Sequence, residues 1–553
     1  MAGKIIVRLP DNVVKKFNPG TSVLEVLGTG KEPGEPLVAI VNGEVAELSK
    51  KLYQNATIQP VTINSPLGFR TYEKSLCFLL IKAVNEVLSG ARVTIEHSLS
   101  KGLYGEIHYN RKINEKDIEL IKEKMKEIVS KDEKIEKIKM SKEECKRIFK
   151  SYGMKDRLRL LKYIELDYIN MYKCGNLYDY FYGPLVPSMG YLNLFDLKLY
   201  APGFILMYPH PEDPETIAPY KDLPKLAKVF RETEKWARIL DIADVASLND
   251  KVSSEEINDI ILVNEALHEK RIAKIADKIY ENKDRIKIVL IAGPSSSGKT
   301  TFANRLSIQL KVLGLKPYPI SLDDYFVDRE YTPLDEKGEY DFESINALDL
   351  ELFNKHLMSL LNGDEIELVR YNFITGHREW TGKKYKMGDN SVLIIEGIHG
   401  LNETLTSSIP KENKFKIYIS ALTQLNIDNH NRIPTTDVRK LRRIVRDYNY
   451  RGRSAEKTIT TWHKVREGEE KNIFPFQEEA DTMFNSTLVY EMSILKKYAE
   501  PLLREIPKDS PAYIEAKRLL ILLRYFKTAN EEKVIPNNSI IREFIGGSVF
   551  HEE

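Results

Sequence analysis

The chain has 553 residues, with 83 Lys+Arg against 81 Asp+Glu. That length exceeds what one hydrophobic core supports and predicts three or four domains; the near-neutral balance excludes a global field for nucleic acid, though local patches stay open. Three widely separated cysteines (Cys77, Cys145 and Cys174) form neither a zinc spacing nor a disulfide framework, and with no apolar leader in residues 1–10 and no bilayer-length apolar run they predict a cytoplasmic, non-membrane protein.

Residues 1–63 read as a small β-grasp-like unit. Residues 4–9 alternate like a strand, and Ser22 stands where it would cap a short helix. Residues 38–41 and 44–47 flank Asn42-Gly43, a hairpin signal, and 57–63 closes the unit. Residues 64–240 form a second, α+β region. Helical spacing covers 72–88, strands are expected at 92–97 and 105–109, and 117–140 reads as one Lys/Glu-laced helix with a solvated face. Between 168 and 220 the chain is rich in Tyr, Gly and Pro, which implies turns and short strands. Residues 241–284 read as a helical linker, with a long helix over 254–281 capped by Ser254.

From 285 to 500 the pattern changes to strand–loop–helix alternation. Strands are expected at 286–292, 316–321, 391–395 and 415–419, and helices at 301–313 and 349–361. This predicts an α/β domain with a parallel sheet flanked by helices. Residues 501–553 follow as a helical extension, with a helix over 516–526.

Chemistry concentrates in this α/β region. Gly293, Pro294, Ser295, Ser296, Ser297, Gly298, Lys299 and Thr300 satisfy G-x-x-x-x-G-K-[ST] between a strand and a helix. Glycines let backbone N–H groups turn toward phosphate oxygens, and the helix start adds positive potential. These residues and Thr301 are expected to cradle ATP, with Lys299 on the β/γ-phosphates and Thr300 on Mg²⁺. Strand 391–395 ends in Glu396, a second candidate Mg²⁺ ligand, since parallel strands deliver their last side chains to one edge. Asp323 and Asp324 follow strand 316–321. One of them is a candidate base for the acceptor hydroxyl, and the other a turn cap. Arg439, Arg442, Arg443 and Arg446 share one helical face, a candidate clamp for the transferring phosphoryl group. The alternatives for that face are a basic RNA-binding stripe and a surface helix paired with acids.

In order and rough spacing, GPSSSGKTT, SLDDYF, Glu339-Tyr-Asp341-Phe, Tyr371-Asn-Phe-Ile-Thr-Gly-His-Arg378, LIIEGIHGL and LRRIVRDYNYRGR resemble the uridine/cytidine kinase and phosphoribulokinase group of P-loop kinases. The resemblance implies an ATP–Mg²⁺-dependent kinase with Asp323 as general base. It implies a lid carrying Arg443, Arg446, Arg451 and Arg453, and an acceptor site at Asp323, Tyr325, Asp341, Tyr371, Arg378, Arg446 and Arg451. The acceptor it implies is a nucleoside. Departures at Asn372 and Gly376 leave a non-nucleoside alcohol as the alternative.

Residues 1–63 also resemble a TGS domain, and 64–240 the additional domain of threonyl- and alanyl-tRNA synthetases. The similarity rests on His97-Ser-Leu-Ser-Lys101 and on the run from Cys174 to Pro187. Of four metal and editing positions only His97 remains; Lys101, Phe181 and Leu185 occupy the others. The reading is therefore no zinc and no tRNA editing, with the N-terminal half kept as a candidate RNA contact and a homo-oligomer left open.

Overall fold

The computed structural model describes residues 4–335, 338–423 and 425–550. The chain begins with a five-stranded sheet ordered Val14–Phe17, Ile5–Arg8, Ala56–Val61, Val38–Val41, Glu44–Ala46. Asn42 and Gly43 turn the hairpin with φ of 51° and 76°, which Asn and Gly tolerate best. Helix Val23–Leu27 starts at Ser22, whose side chain accepts from Glu25 N while Glu25 reaches back. The result is a β-grasp unit. It shares one apolar core with the next region through Val7, Leu76, Phe78 and Leu206.

That second region packs helices Pro66–Val87 and Glu115–Ser130 beside an antiparallel sheet ordered Asp196–Tyr200, Gly203–Met207, Gly102–His108, Arg92–Leu99. The expected helix over 117–140 is corrected here. It stops at Ser130, Asp132 adopts φ 52°, and Glu136–Ser141 forms a strand paired with Tyr168–Cys174. Alternation in Glu136-Lys-Ile-Lys-Met has period two, and pairing outweighed its lysine content.

Residues 241–284 are helical, as Val245–Ser253 and Ile257–Tyr280, but they are no free tether. Ile257 and Ile261 join one core with Leu441 and Leu519, and Ile272 and Ile279 join another with Phe302 and Phe544. Ser254 does not cap the long helix; its Oγ donates back to Asp250 O at 3.1 Å, and the cap position is Glu256.

The α/β region is built on a five-stranded sheet, all parallel, ordered Lys316–Ser321, Ser391–Glu396, Ile288–Ala292, Lys414–Ser420, Thr482–Asn485. Its central strand is buried on both faces, as a continuous Ile-Val-Leu-Ile-Ala run requires. A two-stranded ribbon, Glu365–Asn372 with His377–Lys386, stands to one side and is not among the strands expected from the sequence. No helix among the described residues is long and apolar enough to cross a membrane. The three cysteines are free and buried.

Candidate active site

Strand Ile288–Ala292 delivers the chain into the 293–300 loop, which leads directly into helix Lys299–Val312. A Cβ on Gly293 would lie 1.9 Å from Ile419 O, and one on Gly298 would lie 2.6 Å from Ile540 Cγ2 at φ 83°. Neither position admits a side chain. Ser296 also takes positive φ, 59°. The helix has no side-chain cap, so its first-turn N–H groups are left for an anion. Ser296 and Ser297 Oγ are buried without a hydrogen-bond partner among the described residues. Orphaned hydroxyls in such a cradle fit phosphate oxygens.

Lys299 Nζ donates to Gly293 O at 3.0 Å, folded over the loop. Thr300 Oγ1 lies 3.4 Å from Glu396 Oε1, and Ser321 Oγ 3.3 Å from the same oxygen. Strand register makes this meeting, since Glu396 pairs with both Ile291 and Ser321. The donor set is all hard oxygen, which suits Mg²⁺. Burial raises the Glu396 carboxyl to about 7 against the pull of Lys299, with Asp323 and Glu543 adding repulsion.

Asp323 sits on a 3₁₀ turn, Leu322–Tyr325. At three-residue spacing Leu322 and Tyr325 both point inward, so Asp323 is turned out into the cleft. Its carboxylate reaches solvent but is crowded by protein, which raises its pKa. Lys299, Arg451 and Arg446 oppose that rise and so stand around it. The second carboxylate, Asp324, accepts from Tyr371 N at 3.4 Å and braces the neighbouring strand.

Helix Thr435–Arg451 divides its arginines by role. Arg439 and Arg442 were expected on the phosphate clamp; both are fully buried struts instead. Arg439 donates to Ser295 O at 3.0 Å and pairs with Glu469. Arg442 donates to Ser296 O at 3.3 Å and pairs with Glu491 at 2.6 Å. They fix the loop's carbonyls. Arg443 and Arg446 face the cleft, holding Asp447 at 3.2 and 3.0 Å, and Arg443 donates to Ser295 Oγ at 2.8 Å. Asp447 is buried, but the two guanidiniums keep its pKa low. Arg451 is crowded by burial and by Arg446, which brings it down to about 10.

Among the remaining predicted acceptor residues, Tyr325 requires correction. It is 3% exposed and hydrogen-bonded to His356 Nδ1 at 3.1 Å in the core beneath the cleft. Arg378 is engaged by Asp349 at 2.7 Å, and Asp341 Oδ1 accepts from Glu343 N at 3.1 Å. Tyr371 joins Phe326 and Phe373 in an edge-to-face cluster with centroids 5.1–6.2 Å apart. The structure thus gathers Lys299, Thr300, Glu396, Asp323, Arg443, Arg446 and Arg451, while Tyr325 and the equally buried Tyr371, whose hydroxyl donates to Gly376 O at 3.2 Å, are withdrawn from them.

Three further carboxylates border the site: Glu469, Glu343 and Glu543. Glu469 accepts from Ser295 N at 3.0 Å. Burial and Glu469 raise Glu343 to about 7, with Arg443 and Lys299 opposing. Glu543 accepts from Thr301 Oγ1 at 2.7 Å, so that hydroxyl is turned away from the cradle. Only long-range packing brings them here, and no local spacing announces them.

In the N-terminal half, His97 stacks on Phe230 with centroids 3.6 Å apart, and burial lowers its pKa to about 3. Phe181 and Leu185 are core side chains, and no group of three or more His, Cys, Asp or Glu among the described residues is placed to hold a metal.

Residues 288–493 match the family model described as phosphoribulokinase/uridine kinase. That region, which contains the loop, Asp323, Glu396 and the arginine helix, is a P-loop kinase domain. The N-terminal region is similar to threonine–tRNA ligases, at 32% identity over 197 residues for Burkholderia multivorans and 29% over 187 for Ehrlichia chaffeensis. Those matches cover 35% and 33% of this chain and 31% and 30% of the ligases, so the chain spans about a third of the relatives it matches there. A solved structure described as a possible uridine kinase from Bacillus stearothermophilus aligns at 20% identity and TM-score 0.26, covering 38% of this chain and 97% of that one.

Proposed function

We propose that the protein is an ATP–Mg²⁺-dependent kinase that moves the γ-phosphate to a hydroxyl of a nucleoside. The observation that carries this reading is the convergence on Asp323. An outward carboxylate stands among Lys299, Arg446 and Arg451, across from the Thr300–Glu396 pair. Asp323 takes the acceptor hydroxyl's proton, that oxygen bonds to phosphorus, and ADP leaves. Lys299 and the loop N–H groups hold the phosphates in line. Arg443 and Arg446 neutralise charge developing on the transferring group. Thr300 and Glu396 would hold Mg²⁺, which would supply charge neutralisation on the phosphate oxygens.

A nucleoside fits the acceptor side better than a small polyol. Beside Asp323 lies the aromatic cluster of Phe326, Tyr371, Phe342 and Phe373, and Phe342 and Phe373 are exposed. Exposed rings offer a planar base a stacking surface, and a polyol gains little from them. The test is ATP consumption and product mass across a panel of nucleosides, sugars and sugar phosphates. Turnover only with a non-aromatic alcohol would overturn the nucleoside assignment. ATP consumption with no acceptor phosphorylated would overturn the kinase reading.

A further inference from the structure

A cavity of about 1130 Å³ opens outside the kinase cleft. None of its walls comes from the 293–300 loop, Asp323 or Glu396. They come from the Asn42-Gly43 hairpin, helix Pro66–Val87, residues 162–172 and 180–184, and helices Glu491–Arg504 and Tyr513–Leu523. The volume lies just above the usual range for small-molecule sites, about 300–1,000 Å³.

Its lining is strongly one-signed. Ten lysines and arginines face it against four glutamates. Three of those glutamates are already engaged: Glu44 by Lys517, Glu47 by Lys137 and Glu500 by Arg504. Lys74, Lys162 and Arg524 form no ion pair among the described residues. Lys74 is the most confined of them. Its Nζ lies 3.6 Å from the Tyr182 ring centroid and donates to Tyr182 O. Burial, with Arg518 and Arg70 nearby, brings its pKa down to about 7. An anion placed there would relieve that penalty. Six tyrosines share the walls: Tyr163, Tyr168, Tyr172, Tyr180, Tyr182 and Tyr525. Surplus cations call for phosphate, and rings call for a planar partner. A nucleotide supplies both.

The same walls touch the catalytic machinery from behind. Arg518 grips Asp437 with two bonds of 2.7 and 2.6 Å, and Glu515 accepts from Arg70 at 3.1 Å and from Lys440. Asp437 and Lys440 belong to helix Thr435–Arg451, on the side away from the arginines that hold the loop. A phosphate that drew Arg518 off Asp437 would leave a buried carboxylate short of partners, and so would unseat the start of that helix.

We propose that this cavity is a regulatory site for a free nucleotide, with phosphate on the Lys74–Arg518 side and base against the tyrosines, and that its occupation slows phosphotransfer through the arginine helix. The regulatory half rests on the kinase reading; the binding half does not.

The test titrates the full chain by calorimetry with AMP, GMP, CMP and UMP, their diphosphates, and a single-stranded oligoribonucleotide. Three proteins are compared: the parent, Lys299→Ala in the phosphate loop, and Lys162→Ala/Arg524→Ala in the cavity. Lys162 and Arg524 are exposed and leave no carboxylate orphaned, and Lys162→Gln/Arg524→Gln is carried as a second variant. The expected result is a nucleotide that still binds Lys299→Ala and weakens roughly tenfold or more in both cavity variants. Loss of all nucleotide binding in Lys299→Ala would overturn the site, as would unchanged affinity in the cavity variants. So would binding of the oligoribonucleotide alone. In the parent that nucleotide should lower ATP turnover, and the cavity variants should resist it. Binding without any effect on turnover would overturn the regulatory half. A parent with no kinase activity but intact cavity binding would sink the kinase reading and leave the site standing.

Discussion

Glu543 accepts a 2.7 Å hydrogen bond from Thr301, so the segment after residue 501 closes over the start of the phosphate-loop helix. Ile540 presses on Gly298 from the same segment. The contact spans 242 residues of sequence and is buried. Glu543→Ala should therefore cost about 1–3 kcal/mol and raise the KM for ATP. A double cycle with Thr301→Val checks it: the two losses should be non-additive by about 1 kcal/mol. Strict additivity would show that the pair is not coupled.

Asp323→Asn keeps the shape and removes the base. Turnover should fall by about 10²–10⁴-fold, with the KM for ATP nearly unchanged. Steady-state kinetics on the best acceptor checks this. Full turnover would move the base elsewhere.

The arginine helix predicts two opposite phenotypes. Arg442→Ala leaves Glu491 buried without its cation, held only by Leu488 N, and should destabilise the protein by about 3–5 kcal/mol. Arg446→Ala leaves Asp447 still paired with Arg443. It should fold normally and lose about 10²–10³ in kcat. Thermal melts beside kinetics separate the two, and a kinetic defect in Arg446→Ala explained by unfolding would refute the division.

The cleft carboxyls make stability fall with pH. Burial, the largest cause, holds Glu396 and Glu343 at about 7, above the ordinary 4.5. In that window the folded state holds more protons than the unfolded one. Stability from these groups is therefore present below about 4.5 and lost as pH rises through about 7. The melting temperature of the ligand-free protein should drop across this range, and Glu396→Gln should flatten the drop. Adding Mg²⁺ and ATP above pH 7 should raise the melting temperature of the parent more than that of Glu396→Gln. Melts across pH with both proteins check it, and parallel curves would refute the role of Glu396.

Tight local geometry makes one further substitution informative. Gly293→Ala would force a Cβ against Ile419 O, a backbone atom that cannot swing aside. ATP binding should weaken by about tenfold or more even if the chain folds. Isothermal titration with ATP–Mg²⁺ checks it.

Much of the site was legible because its parts are short-range. The loop at 293–300, the strand ending in Glu396 and the turn carrying Asp323 are each defined by neighbours in sequence. A parallel sheet then carries them to one edge by register. The β-grasp hairpin was legible for the same reason, since Asn42-Gly43 encodes its own turn. Side chains two residues apart on a 3₁₀ turn were harder: Asp323 and Tyr325 share a motif, but only packing sends one outward and one inward.

By itself, the sequence determined the phosphate loop and the identity of the groups around it, because backbone conformation follows from local glycine, proline and hydrogen-bonding patterns. Tertiary structure alone decided what each charge does. Arg439 and Arg442 are identical in kind to Arg443 and Arg446, and helical spacing puts all four together. The first two became struts because Glu469 and Glu491 arrive from distant segments to neutralise them, while the other two were left facing the cleft. A buried charge takes its role from its partner, and partners 30 and 49 residues away leave no trace in local spacing.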